Sequence, residues 1–467
     1  MAEIFSKNLR PALAEQSLQI ERCAVEWLQH RRGRRCRLLY RLNMRDAGGQ
    51  TIDQWFFGKL LRPGQARREY EEAMIAASSP NGLWQPLYLW PDLEMVIWSF
   101  PHDPAMPGLR QAADPIWVQA RLNSQIAALG LPAAWRCEEV VVERVKYMPG
   151  KRCVLRCHAR LADCHKNAVA QASSLQADMI FALHCDARVK VNADSSGASR
   201  CLSFYSKTYA DGKSVLHFAN LQKLYANALR NGQSFKVPRP LAHWDEANTL
   251  WQESWEGRPL IDRLGELDWE KLFPRIAAAL AAFHQSPCDH LPEVEALERG
   301  FEAVQEDAPM LGWLLPQQQA RFDEAQAAIA AAKEILSRQP APHAPTHGTM
   351  RLEQILFKDG DMALVDFDAA ALSDPHLDVA EFLISLQFLE FSHGLPRQRL
   401  AAAAQSFQAA YARQVPWRLD PQRVAWHAAV SLLDKLHEAL RNLDANTLQK
   451  LEAILEVMED WLKIISK

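Results

Sequence analysis

The first half of this 467-residue chain repeats itself, and a repeat restricts the fold more than any single motif does. Residues 26–36, EWLQHRRGRRC, match residues 143–153, ERVKYMPGKRC. The glutamates Glu26 and Glu143, the turn glycines Gly33 and Gly150, the two basic residues that follow and the cysteines Cys36 and Cys153 recur in register. Each copy reads as two strands around a glycine turn. Downstream, WFFGK ending at Lys59 parallels SFYSK ending at Lys207, and each lysine precedes a glycine, Gly64 or Gly212, at the same interval. A helical stretch follows each lysine, 66–77 and 215–230, and then Pro86 and Trp90 match Pro240 and Trp244. These features predict two copies of one small α+β unit, residues 1–112 and 135–256, joined by a linker helix within 113–134. The second copy carries an insert, 162–202, whose NADSSGAS run at 192–199 reads as a loop.

From residue 257 the strand pattern almost disappears. Residues 267–284, 318–338 and most of 398–467 are rich in alanine and other apolar residues at helical spacing. One exception is 354–368, where two short apolar runs flank Lys358, Asp359, Gly360 and Asp361, the signature of a hairpin. Around that hairpin lie three motifs: HGTMRLEQ at 347–354, VDFD at 365–368 and DPHLD at 374–378.

In order and spacing these motifs resemble the aminoglycoside phosphotransferase/choline kinase family, whose members carry H-G-D-x-x-x-x-N, a hairpin, [ILV]-D-F-D and D-P-x-x-D. The resemblance implies an α+β, bilobal protein-kinase-like fold. Its small antiparallel-sheet N-lobe would be 135–256, duplicated in 1–112, and its mostly helical C-lobe 257–467. It also implies ATP or GTP with Mg as cofactors and a hydroxyl of a small molecule as substrate. A triphosphate needs a hard cation held by oxygen ligands. Asp366 matches the family's metal-binding aspartate, and Gln354 stands at the metal-binding asparagine. Lys207 matches the lysine on the nucleotide phosphates, and the turn at Gly150 and Lys151 would cover them with backbone amides. Residues 250–260, LWQESWEGRPL, look like the hinge, whose backbone near Glu253 and Trp255 would meet the adenine edge. His347 is expected to hold the catalytic loop's backbone, and His284 to be structural.

Two departures bear on activity. Thr349 occupies the place of the catalytic aspartate, and a threonine hydroxyl cannot take a proton near neutral pH, a loss typically worth about 10²–10⁴ in rate. The helix after Lys207 offers no glutamate to pair with it, whereas Lys59 is followed by Glu69, Glu71 and Glu72. Phosphoryl transfer depends mostly on positioning and charge neutralisation, so a small-molecule phosphotransferase remains the reading. The alternative is a pseudokinase that binds nucleotide and regulates or scaffolds a partner. Glu353, beside the metal position, is a candidate substitute base, and 391–393 and 423–427 are candidates for the acceptor side.

Composition excludes several other classes. A net charge of −3 argues against a surface that coats nucleic acid. The arginines 31, 32, 34, 35 and 37 around Gly33 lack interleaved aromatics and read as a solvated hairpin tip. The opening residues show no signal-peptide pattern and no run of 18 apolar residues occurs, so neither export nor a membrane span is expected. Nine cysteines, an odd number, fit a reduced cytoplasmic protein. Cys153, Cys157, His158, Cys164, His165, His184 and Cys185 match no paired-ligand spacing for zinc. The additional N-lobe is the expected surface for a protein partner or a homodimer.

Overall fold

The computed structural model describes residues 2–15, 17–31, 35–76, 84–163, 199–230, 234–288, 290–442 and 444–467. By packing the chain divides into two units, Met1–Phe218 with Pro240–Ser254, and Ala219–Arg239 with Trp255–Lys467.

The first unit contains two antiparallel sheets of five strands. In one, β1 (Gln19–Arg31), β2 (Arg35–Arg45), β3 (Thr51–Leu60), β4 (Leu87–Trp90) and β5 (Met95–Ser99) lie in the order β1-β2-β3-β5-β4. In the other, β6 (Trp135–Met148), β7 (Arg152–Asp163), β8 (Ser199–Tyr209), β9 (Pro240–Trp244) and β10 (Thr249–Glu253) lie in the order β6-β7-β8-β10-β9. Lys59 and Lys207 each sit on the third strand, and the helices Ala66–Ala76 and Ser214–Arg230 follow those strands. The likeness goes beyond the sequence pattern. Trp90 and Trp244 each lead into a 3-10 turn, and each turn ends on a left-handed residue, Glu94 at φ 48° and Asn248 at φ 45°.

Strand alternation puts one face of each sheet indoors. On β7, Cys153, Leu155, Cys157, Ala159 and Leu161 are buried at every second position. Burial pushes both thiols up, Cys157 to about 12. Cys164, His165, His184 and Cys185 lie outside the described residues, as do Gly33 with its neighbours Arg32 and Arg34 and most of the insert 162–202. Phe5 and Leu13, from the helices Ala2–Asn8 and Arg10–Glu15, and Leu9 between them fill one core with Tyr40, Phe56 and Trp90. The helix Pro115–Ser124 does the same for the second sheet, where Val118 and Leu122 pack with Trp244 and Trp251. The segment read as a linker is therefore part of the second sheet's core. Asp114 starts it by accepting the Ile116 N–H, and Pro115 suits the first turn. A further core is shared by both sheets, with Leu39, Phe57, Val96 and Trp98 against Tyr147, Cys153 and Leu155.

The second unit is mostly helical. Helices Trp269–His284, Ala296–Leu314, Gln319–Leu336, His376–His393, Arg397–Ala412, Pro421–Arg441 and Leu451–Ile465 enclose one apolar core. Its strands are β11 (Arg258–Pro259), β12 (Ala344–Thr346), β13 (Ile355–Lys358), β14 (Asp361–Leu364) and β15 (Ala371–Ser373). The β13–β14 hairpin turns on Asp359 and Gly360, at φ 50° and 86°, the pairing an Asp-Gly tip favours. The sequence predicts only this hairpin. β11 pairs with β13 and β12 with β15, but elements of two or three residues are too short to show alternation. No described helix is long and apolar enough to cross a membrane.

Candidate active site

The loop at 347–354 is built around Asp378, a fully buried carboxylate in the first turn of helix His376–His393. Its Oδ2 accepts the backbone N–H of His347 at 2.5 Å, and its Oδ1 accepts that of Gly348 at 2.8 Å. His284 donates to Oδ2 from Nε2 at 3.0 Å, and the Tyr411 hydroxyl lies 2.6 Å from its Nδ1. Gly348 sits at φ +79°, and a Cβ there would fall 2.5 Å from the Ala369 carbonyl, so only glycine fits. His347 is buried and donates from Nε2 to the Val365 carbonyl at 2.9 Å, which ties the loop to the end of β14.

Thr349 is half-buried. Its Oγ1 accepts from the Gln354 amide nitrogen at 3.1 Å and lies 3.4 Å from His347 Nδ1. The Gln354 Oε1 accepts the Arg351 N–H at 3.1 Å, so threonine and glutamine close a ring inside the loop. The Val365 N–H donates to the Gln354 carbonyl at 3.0 Å, which sets the loop beside Asp366. Asp366 adopts φ 70° at the start of the 3-10 turn Phe367–Ala369, a conformation aspartate tolerates better than bulky residues.

Asp366 and Gln354 suit Mg²⁺. A carboxylate and an amide oxygen are hard donors, and Gln354 Oε1 gives one lone pair to Arg351 and keeps the other. Among the described residues no group of three His, Cys, Asp or Glu side chains forms a metal cage. Mg²⁺ in nucleotide sites commonly takes one or two carboxylates and completes its shell with phosphates and water.

A cavity of about 290 Å³ opens on the same loop, lined by Arg351, Glu353, Phe388, Ser392, Lys435 and Glu438 among others. Two of the lining residues share a buried partner: Glu381 accepts from Arg351 Nε at 3.2 Å, from Lys435 Nζ at 3.1 Å and from the Ser431 hydroxyl. Burial alone would push that carboxyl up, but Lys435 and Arg351 hold it below its ordinary value. The cavity wall thus carries both signs of charge. Of the two acceptor-side stretches the sequence suggests, 391–393 reaches the cavity through Ser392. The stretch 423–427 is packing instead. Arg423 Nη1 donates to Asp374 at 3.0 Å, its Nη2 donates to the Leu336 and Gln339 carbonyls, and His427 Nε2 lies 3.6 Å from Asp374. Burial raises the Asp374 carboxyl, yet the hydrogen bond from His376 and the neighbouring His427 imidazole hold it far below the ordinary carboxylate range.

The residues expected on the nucleotide side belong to the first unit, apart from Trp255. Lys207 is buried on β8 between Val154 and Leu250. In the first sheet Lys59 meets Glu69 at 2.5 Å and lies 4.8 Å from the centre of the Trp98 ring. The amides of the β6–β7 turn are not free to bind phosphate. Gly150 N–H donates to Asp103 Oδ2 at 2.8 Å, and Lys151 N–H donates to the Met148 carbonyl at 3.0 Å. The first copy places a carboxylate against this turn, which the repeat alone cannot show. Glu253 ends β10 opposite Phe204. The Trp255 ring folds onto Gly257, where an added Cβ would lie 1.9 Å from it, and its carbonyl accepts the Gly257 N–H at 2.9 Å.

The model of the phosphotransferase enzyme family (APH) matches residues 186–427, just over half of the sequence. The chain belongs to that phosphotransferase family. Its fold is the family's α+β, bilobal kinase-like one, with antiparallel sheets preceding a helical C-terminal part. No curated protein matches the sequence. Solved structures resemble it distantly. An aminoglycoside phosphotransferase from Streptomyces rimosus, in complex with ADP and streptomycin, is 22% identical over 50% of this chain and 86% of its own, with a TM-score of 0.37. A choline/ethanolamine kinase family protein from Mesorhizobium loti is 15% identical over 64% and 98%, at 0.40. A choline kinase from Cryptosporidium parvum is 11% identical over 74% and 94%, at 0.45.

Several residues of this phosphotransferase escape sequence reasoning. Glu381 leaves a trace, as a lone acid in the apolar run VAEFLISL. Lys435 and Glu438 leave none, because a charge on a long helix is ordinarily solvated.

Proposed function

We propose that this phosphotransferase moves the terminal phosphoryl group of ATP or GTP to a hydroxyl of a small molecule. The observation that carries the reading is the cavity opening on the catalytic loop, where Arg351 and Glu353 share one short segment with Thr349 and Gln354. An acceptor in that cavity lies beside the loop that the family uses for transfer. Lys207 is assigned to the nucleotide phosphates, and the backbone near Glu253 and Trp255 to the adenine. Asp366 and Gln354 would hold Mg²⁺, which when bound neutralises phosphate charge. His347 and Asp378 keep the loop in one conformation. With threonine at 349 the chain lacks the usual carboxylate base, so its rate rests on positioning and charge. A cytoplasmic site of action, where nucleotide is available, accords with this chemistry.

A second reading is favoured by one observation: Thr349 Oγ1 is engaged by Gln354, inside the loop where the usual carboxylate base is missing. In that reading the protein binds nucleotide without transferring phosphate and regulates a partner. Thermal unfolding with ATP or GTP, each with and without Mg²⁺, followed by turnover against a panel of hydroxyl acceptors, separates the two. Metal-dependent stabilisation is expected, and Asp366→Ala is expected to remove its Mg²⁺-dependent part. Bound nucleotide with turnover equal to buffer would overturn the enzyme reading. Unchanged Mg²⁺ dependence in Asp366→Ala would overturn the metal assignment.

A further inference from the structure

We propose that Asp103 is a positioning residue for the nucleotide, through which the first sheet holds the phosphate-side turn of the second. The inference rests on the nucleotide-dependent reading above. Asp103 follows β5 and is 4% exposed. Its Oδ1 accepts the Ala105 N–H at 2.9 Å, while its Oδ2 accepts the Gly150 N–H at 2.8 Å and the Tyr147 hydroxyl at 2.9 Å. Two of these three bonds come from the β6–β7 hairpin of the other copy. On the same side, Arg37 Nη1 of β2 lies 3.4 Å from where a Gly150 Cβ would be.

The hairpin is also gripped along its strands. The Arg144 guanidinium sits 3.6 Å from the centre of the Trp55 ring and 3.5 Å from Asp53. Tyr147 meets Phe100 edge-on at 5.4 Å, and Cys153 and Leu155 enter the core shared with Phe57 and Trp98. A free hairpin tip would lose conformational freedom on closing over phosphates. One tethered at its amide and along both strands has already been ordered by folding. Removing the Asp103 carboxylate would leave the part-buried Gly150 N–H and the buried Tyr147 hydroxyl without their acceptor. The turn therefore meets a nucleotide in one conformation, and it offers the exposed Lys151 side chain rather than its amides.

The test uses the full chain, with Asp103→Ala and Asp103→Asn compared with wild type. Amide exchange at Gly150, Mg·ATP affinity by calorimetry and thermal unfolding are measured together. Asp103→Ala is expected to speed exchange at Gly150 and weaken Mg·ATP about tenfold, the scale of one hydrogen bond to a charged group. Asp103→Asn, which can keep an oxygen towards Gly150 and Tyr147 at the expense of Ala105, is expected to recover most of that loss. A folded Asp103→Ala with faster exchange and wild-type affinity overturns the proposal. So does a gain in affinity, which would mean that the carboxylate stands in a phosphate's place. Should Asp103→Ala not fold, Arg144→Met loosens the same hairpin, and unchanged Mg·ATP affinity there overturns the proposal equally. A wild type that binds no nucleotide overturns the functional reading and this inference together. Equal binding by wild type and variant overturns this inference alone.

Discussion

Asp378→Asn probes how much of the 347–354 loop depends on one buried carboxylate. The substitution keeps the shape and removes the charge and one acceptor. Its least costly placement keeps the amide oxygen at the Oδ2 position, where the His347 N–H and His284 Nε2 donate, and turns the new NH₂ towards the Gly348 N–H. That arrangement sets donor against donor at Gly348, a loss of about 1.5–3 kcal/mol for a hydrogen bond to a charged group. The two retained bonds become neutral and weaken by about 0.5–1 kcal/mol each. The total, about 2.5–5 kcal/mol, is a large share of a typical folding stability. For a unit of this size each kcal/mol moves the Tm by about 2–4 °C, so a fall of about 5–20 °C is expected. Circular dichroism at the helix signal, followed through thermal unfolding of the full chain, reads the helical unit directly. Phosphoryl transfer should fall further than nucleotide affinity, because the loosened loop carries Thr349 and Gln354. A Tm within about 2 °C of wild type would refute the claim that Asp378 organises the loop.

Two further substitutions test neighbouring groups. Asp374 has its folded-state carboxyl held below the ordinary value, so its stabilisation is present above the unfolded pKa of about 3.9 and is lost as pH falls through the folded one. Asp374→Asn should therefore destabilise the chain at pH 7, with the difference from wild type narrowing below about pH 4. Urea unfolding at several pH values checks this, and a difference independent of pH would contradict it. Thr349→Asp restores a carboxylate at the base position and should raise turnover by about 10² or more. A fall in turnover would show that the threonine belongs to a different catalytic design.

The segment 347–366 was legible as one structural unit because its spacing is local. His347, Gly348, Gln354 and Asp366 lie within one short segment, and Asp359 with Gly360 sets the intervening turn by backbone preference alone. The paired sheets were legible for a similar reason: the two third-strand lysines, the helices after them and the tryptophans at 90 and 244 punctuate each copy at equal spacing. Which donor meets which acceptor was not legible. Thr349 and Gln354 are five positions apart, yet their hydrogen bond depends on side-chain rotation that spacing does not dictate. Arg423 and His427 looked available for an acceptor until folding buried them on Asp374. Helix Pro115–Ser124 reads as a connector, and only the packing of Val118 and Leu122 on Trp251 makes it a piece of the second sheet. The Gly150 amide seemed free for phosphate, but its partner, Asp103, comes from the other copy. Local backbone preference and side-chain periodicity, which act over a few residues, are written in the sequence. Burial and hydrogen-bond direction arise from groups far apart in the chain and exist only once packing has brought them together.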